Sequence, residues 1–120
     1  MTGQSFHPPY SNFSVDVSNN AHPCAAELSS FSTDDELYMN IDYREGNDVF
    51  ITADFEGGVY GKNRAGAEDM EMTGGTFPLA WTRSYGTGKV FVTLLGHDGK
   101  SHQSKGFQEL VLNGVDWVNS

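Results

Sequence analysis

The chain has 120 residues, enough for one domain with a single modest core. Sixteen acidic residues against seven basic ones give a formal charge of −9, which argues against the basic stripe of a nucleic-acid or anionic-membrane surface. A lone cysteine, Cys24, rules out an internal disulfide framework, and no apolar run approaches the roughly 20 residues of a membrane span.

Residues 1–11 read as a loop, because Pro8 and Pro9 exclude a helix. The segment shows neither the basic region nor the apolar run of a signal peptide, and with the single cysteine this favours a cytoplasmic setting. Asn12–Val17 alternates Phe13, Val15 and Val17 against Ser14 and Asp16, the pattern of a half-exposed strand. Ser18, Asn19 and Asn20 form a turn, and residues 25–28 fit one helical turn. The stretch from Phe31 to Tyr38 carries three consecutive carboxylates, Asp34, Asp35 and Glu36. Alternation predicts a strand over Tyr38–Tyr43 and a stronger one over Asp48–Phe55. Residues 56–76, rich in Gly and acidic side chains, read as one long loop.

Phe77 to His97 organises the rest. Two strands flank the Gly86-Thr87-Gly88 turn, and alternation places Trp81 and Tyr85 on one face of the first. Lys89–Leu95 is apolar on both sides, which predicts a central strand covered on both faces. His97 follows it in a Gly-bracketed polar loop, a common ligand position in α/β proteins. Ser104 is a fitting N-cap for a helix to Val118, whose stripe of Phe107, Leu110, Val111, Gly114, Val115 and Val118 faces the sheet. The expected fold is α/β, with about five strands and one long C-terminal helix. One helix covers only one face of such a sheet.

Several spaced motifs give this chain a family likeness. They are Pro78-x-x-Trp81-x-x-x-Tyr85-Gly86-x-Gly88-Lys89-Val90-Phe91, then Leu95-Gly96-His97, then Gly114-Val115-x-Trp117. Upstream stand His7-Pro8, His22-Pro23, Phe31 and Asp35-Glu36-Leu37-Tyr38. Together they resemble the trehalose-utilisation (ThuA-like) domains, through nearly the whole chain and in order. The resemblance implies the C-terminal part of a flavodoxin-like, glutamine amidotransferase-like doubly wound sheet. Residues 1–120 would then be a single, partial domain, completed by an N-terminal half-domain or by a homodimer partner. Phe77 departs from the pattern, where many members have histidine, and the stretch from Gly57 to Gly75 does not align.

The resemblance also implies a carbohydrate ligand, trehalose or a related glycoside, and a role for His97. In the amidotransferase fold a histidine at this point is the base for a cysteine, oriented by an acid two residues on. Here that residue is Gly99, and Cys24 lies in a His-Pro-Cys loop rather than a Gly-flanked elbow. Covalent amidotransferase chemistry is therefore not expected. The candidate catalytic residues are His97, Glu36 and Asp35, acting by proton transfer. The candidate sugar-binding residues are His7, Trp81, Arg83 and Tyr85, the aromatics as platforms for a sugar ring. Each has a plainer reading: the carboxylates as a solvated turn, the aromatics as core, the histidine as a loop cap. No cofactor is expected. The four histidines, His7, His22, His97 and His102, leave a zinc site open, but none forms a close ligand pair. The alternative function is a non-catalytic sugar-binding or protein-interaction module, or an inactive fragment.

Overall fold

The computed structural model describes residues 8, 10–38, 45–60 and 70–120. Its strands are β1 (Ser11–Val17), β2 (Phe31–Asp35), β3 (Asp48–Phe55), β4 (Gly58–Tyr60), β5 (Met70–Met72), β6 (Gly75–Tyr85) and β7 (Gly88–Thr93). The helices are α1 (Gly99–His102) and α2 (Lys105–Val118), with a 3-10 turn at Pro23–Ala25. Five strands form one curled sheet in the order β2-β1-β3-β6-β7, and β4 pairs with β5. The chain is thus a mixed α/β protein with a five-stranded sheet and a long C-terminal helix. Every strand pair among the described residues is antiparallel, whereas a doubly wound sheet has parallel neighbours.

The expected strands over 12–17 and 48–55 are present, as is the hairpin, in which Tyr85 pairs with Gly88. Three expectations need correction. The carboxylate run is not simply a solvated turn: Asp34 and Asp35 end the strand Phe31–Asp35, registered on β1 from Ser11↔Asp35 to Val15↔Phe31. The stretch 56–76 is not loop throughout, because β4 and β5 prolong the β3–β6 arm and β6 already begins at Gly75. And β7 is an edge strand, while β3 is central. Of the strand expected over Tyr38–Tyr43, Tyr38 is in no strand and residues 39–43 lie outside the described residues, as does 61–69.

Helix α2 explains how an apolar strand can sit at an edge. The curl of the sheet brings both outer strands beneath this one helix. At its start, a Cβ on Gly106 would run into the Phe31 ring of β2; further on, a Cβ on Gly114 would meet the Phe91 ring of β7 at 2.7 Å. Both positions need glycine so that an aromatic ring can lie against the helix backbone. Ser104 caps the helix as expected, its hydroxyl accepting from Phe107 N at 3.4 Å. Between helix and sheet lie Val15, Phe50, Ile51 and Leu110, with Cys24, Ala25 and Leu28 of the 3-10 segment. Leu79 and Trp81 are buried too, although alternation sets them opposite Ala80 and Thr82. The strand covered on both faces is therefore β6. No helix of the described residues is long and apolar enough to cross a membrane.

Candidate active site

The end of β2 and the loop after β7 meet through one buried carboxylate. Asp35 has no solvent exposure. Its Oδ2 accepts from Gly96 N at 2.7 Å, and its Oδ1 accepts from His97 N at 3.2 Å and from Glu36 N at 2.8 Å. Three backbone amides on one carboxylate fix the path of the His97 loop, each bond being of the stronger charge-assisted kind. Gly96 completes the bend with a φ of +100°, and a Cβ there would lie 2.9 Å from the Phe107 ring. Next, Asp98 caps the short helix α1, its carboxylate accepting from Ser101 N at 3.0 Å. The Ser101 hydroxyl donates to the Asp34 carbonyl at 2.6 Å, tying α1 back to β2.

This frame holds His97 Nδ1 2.8 Å from Glu36 Oε1. The imidazole side chain is 41% exposed and the carboxylate only 12%. Tyr38 donates its hydroxyl to the same Oε1 at 3.0 Å. Burial, and then the Glu36 carboxylate, raise the Tyr38 phenol above its ordinary range, so it stays a donor. The short contact to a carboxylate puts a proton on Nδ1, so in the neutral imidazole Nε2 is the nitrogen that carries the lone pair. Tyr10 flanks the imidazole, its ring centroid 5.9 Å from that of His97 and tilted by 55°. Its hydroxyl donates to Asp98 Oδ1 at 3.2 Å. Desolvation raises the Tyr10 phenol, and the Ser101 amide bond holds the Asp98 carboxyl below the usual range. A bare imidazole nitrogen backed by a carboxylate is the arrangement of a general base.

The structure brings His97, Glu36 and Asp35 together, with Asp35 as the anchor of the other two. Trp81, Arg83 and Tyr85 are elsewhere. The bond from Leu94 N to Leu79 O marks the His97 end of β6. Tyr85 lies six residues further, about 20 Å along the strand. Trp81 is buried at 8% exposure, Arg83 Nη1 donates to Asn47 Oδ1 at 3.0 Å, and Tyr85 is exposed at the hairpin tip. His7 lies outside the described residues.

The other histidines have separate surroundings. His102 Nε2 lies 3.0 Å from the Gly96 carbonyl and its ring stacks on Phe107. His22 is buried on the helix side of the sheet. Among the described residues, no three His, Cys, Asp or Glu side chains converge as a cation ligand set. Cys24 is buried, and burial pushes its thiol up to about 11, the reverse of what a nucleophile needs. Residue reading alone did not single out Tyr10 or Ser101. The available signal was Asp98-Gly-Lys-Ser101, an N-cap and its partner three residues on.

A trehalose-utilisation (ThuA) family model matches residues 1–118. A solved structure, a ThuA-like protein from Parabacteroides merdae, superposes with a TM-score of 0.70 at 25% identity. The alignment covers 97% of this chain and 41% of that one, so this chain spans less than half of its structural neighbour. No curated protein matches the sequence.

Proposed function

From the premise that this chain belongs to the trehalose-utilisation family, we propose that it binds a carbohydrate at the Glu36–His97 pair and moves a proton there. The observation that carries this reading is the 2.8 Å contact between a half-exposed imidazole and a shielded carboxylate. In the proposed step, His97 Nε2 accepts a proton from a sugar hydroxyl or from an acidic carbon of an oxidised glycoside. The charge that develops on the imidazole is balanced by Glu36 through Nδ1–H. Tyr38 holds the Glu36 oxygen in place, and Asp35 sets the loop geometry from beneath. Tyr10 offers an aromatic ring beside the base, against which the apolar face of a sugar can rest. No covalent enzyme intermediate is involved, in keeping with the buried, raised thiol of Cys24. A cytoplasmic setting belongs to this reading, supported by that single cysteine.

The second reading is a sugar-binding module without turnover. It is favoured by the 41% span of the structural neighbour, since the remaining groups of a reaction centre can lie in a further segment or partner. Adding α,α-trehalose while following the ring nitrogens of His97 by NMR tests the shared part. The proposal expects His97 to shift and His22 to stay unmoved. Were the His97 signals indifferent to this and to other neutral glycosides, the sugar reading would be wrong. Turnover of a bound sugar, lowered about 100-fold or more in His97→Ala, separates enzyme from module.

A further inference from the structure

We infer that the groove between β1 and β3 is a subsite of the His97 centre that takes an uncharged sugar ring and turns away a phosphorylated one. This rests on the proposed sugar-binding role of His97 and adds the chemical class of its ligand. The groove arises from how the sheet divides. β1 and β3 pair only at Asp16↔Thr52 and Val17↔Ile51. Beyond that point β1 stays with β2 as far as Ser11↔Asp35, while β3 stays with β6 as far as Phe55↔Gly75. The two halves of the sheet therefore part toward the end that carries Asp35.

The opening has a volume of about 540 Å³, and Asn12, Ser14, Asp16, Asp54, Phe55 and Glu56 are among its lining residues. That is within the span of small-molecule sites, roughly 300–1,000 Å³. Alternation sets Asn12, Ser14 and Asp16 on the face of β1 away from the buried Val15. Asn12 Nδ2 donates to Asp34 Oδ1 of β2 at 3.4 Å, one residue before the Asp35 anchor. Tyr10, whose ring lies against His97, precedes Asn12 by two residues. That spacing is about 7 Å of extended chain. A ligand that extends from the groove along Asn12 to Tyr10 would bring its near end to the imidazole.

The chemistry of the lining selects the ligand. Asp16, Asp54 and Glu56 are acceptors for sugar hydroxyls, and Asn12 and Ser14 both accept and donate. The Asp54 carboxylate is pre-oriented by the Thr76 hydroxyl, which donates to its Oδ1 at 2.6 Å. Three carboxylates, with no Lys or Arg among the described lining residues, repel a phosphate dianion.

The test compares α,α-trehalose with trehalose 6-phosphate on the full chain, by calorimetry and by amide NMR. Trehalose is expected to shift His97 together with the amides of residues 12–16 and 54–57. The phosphate is expected to bind about tenfold or more weakly, a gap that Asp16→Asn with Glu56→Gln narrows at least about threefold. Glu56→Gln alone, at an exposed position, gives a smaller change of the same sign and serves if the double variant does not fold. If trehalose shifts His97 but leaves the groove amides still, or if the phosphate binds equally well, the subsite is overturned and the sugar reading stands. If neither trehalose nor other neutral glycosides reach His97, that reading falls and takes the subsite with it.

Discussion

His22 and His97 each sit beside a carboxylate, and the two pairs are built in opposite ways. At His22 the imidazole is buried, 2% exposed, and its partner Asp48 is 64% exposed, with Nε2 and Oδ2 3.4 Å apart. At His97 the imidazole is the exposed member and Glu36 the shielded one. Both nitrogens of His22 are engaged. Nδ1 accepts from Cys24 N at 3.0 Å, and Nε2 lies 2.7 Å from Thr82 Oγ1. The ring stacks on Phe50 with centroids 4.3 Å apart. Such a histidine fastens the 3-10 segment to the sheet and has nothing left to offer a ligand. His97 commits one nitrogen and keeps the other. What separates the structural histidine from the one proposed for chemistry is which member of the pair the fold shields from water.

The largest test of this contrast is Asp35→Ala. Removing a buried carboxylate leaves three amides without their acceptor, and about 3–5 kcal/mol of stability should go with it in a urea titration. A loss below about 1 kcal/mol would mean that the His97 loop is held by something else. Next is His22→Leu, which keeps the volume but strips two buried hydrogen bonds; about 2 kcal/mol is expected. His97→Ala should cost less than about 1 kcal/mol, because its side chain is 41% exposed and lies outside the core. Equal losses at the two histidines would erase the distinction.

Much of the frame behind this contrast is legible in the sequence, because it is local. The Ser104 cap and the 3.6-residue stripe mark α2, strict alternation marks β1, and the Gly86–Gly88 turn marks the hairpin. The site is less legible because it is made by long-range pairing. Glu36 reaches His97 across 61 positions, so the sequence can name both as candidates without showing that they pair, and the family pattern of an acid two residues on meets only Gly99. Asp34 and Asp35 disguise β2, since paired carboxylates in a strand make sense only once Asp35 is seen to bind the loop after β7. The apolar run of β7 suggests a central strand, and only the passage of α2 over Phe91 shows how an edge can carry it. Trp81, Arg83 and Tyr85 share an alternation face, but strand length carries the face away from His97.

The smallest expected effect is a pH dependence. Burial lowers the folded His22 imidazole from its ordinary 6.5, against a weaker opposing pull from Asp48. The unfolded chain therefore takes up this proton first. The contribution of His22 to stability is complete above the unfolded value and is lost as pH falls through it toward the depressed folded value. Urea midpoints at about pH 7.5 and about pH 5.5 should drop further in the parent chain than in His22→Leu. An equal drop would place the acid sensitivity in other groups.

The central claim is that the two histidines hold opposite tautomers, and long-range proton–nitrogen NMR of the imidazole rings at neutral pH reads this directly. The geometry predicts His97 protonated on Nδ1 with a bare Nε2, and His22 protonated on Nε2 with Nδ1 accepting from Cys24. Glu36→Gln should disturb the first and leave the second unchanged. Finding neutral His97 with its proton on Nε2 would contradict the account, because the nitrogen assigned to the ligand would then carry no lone pair.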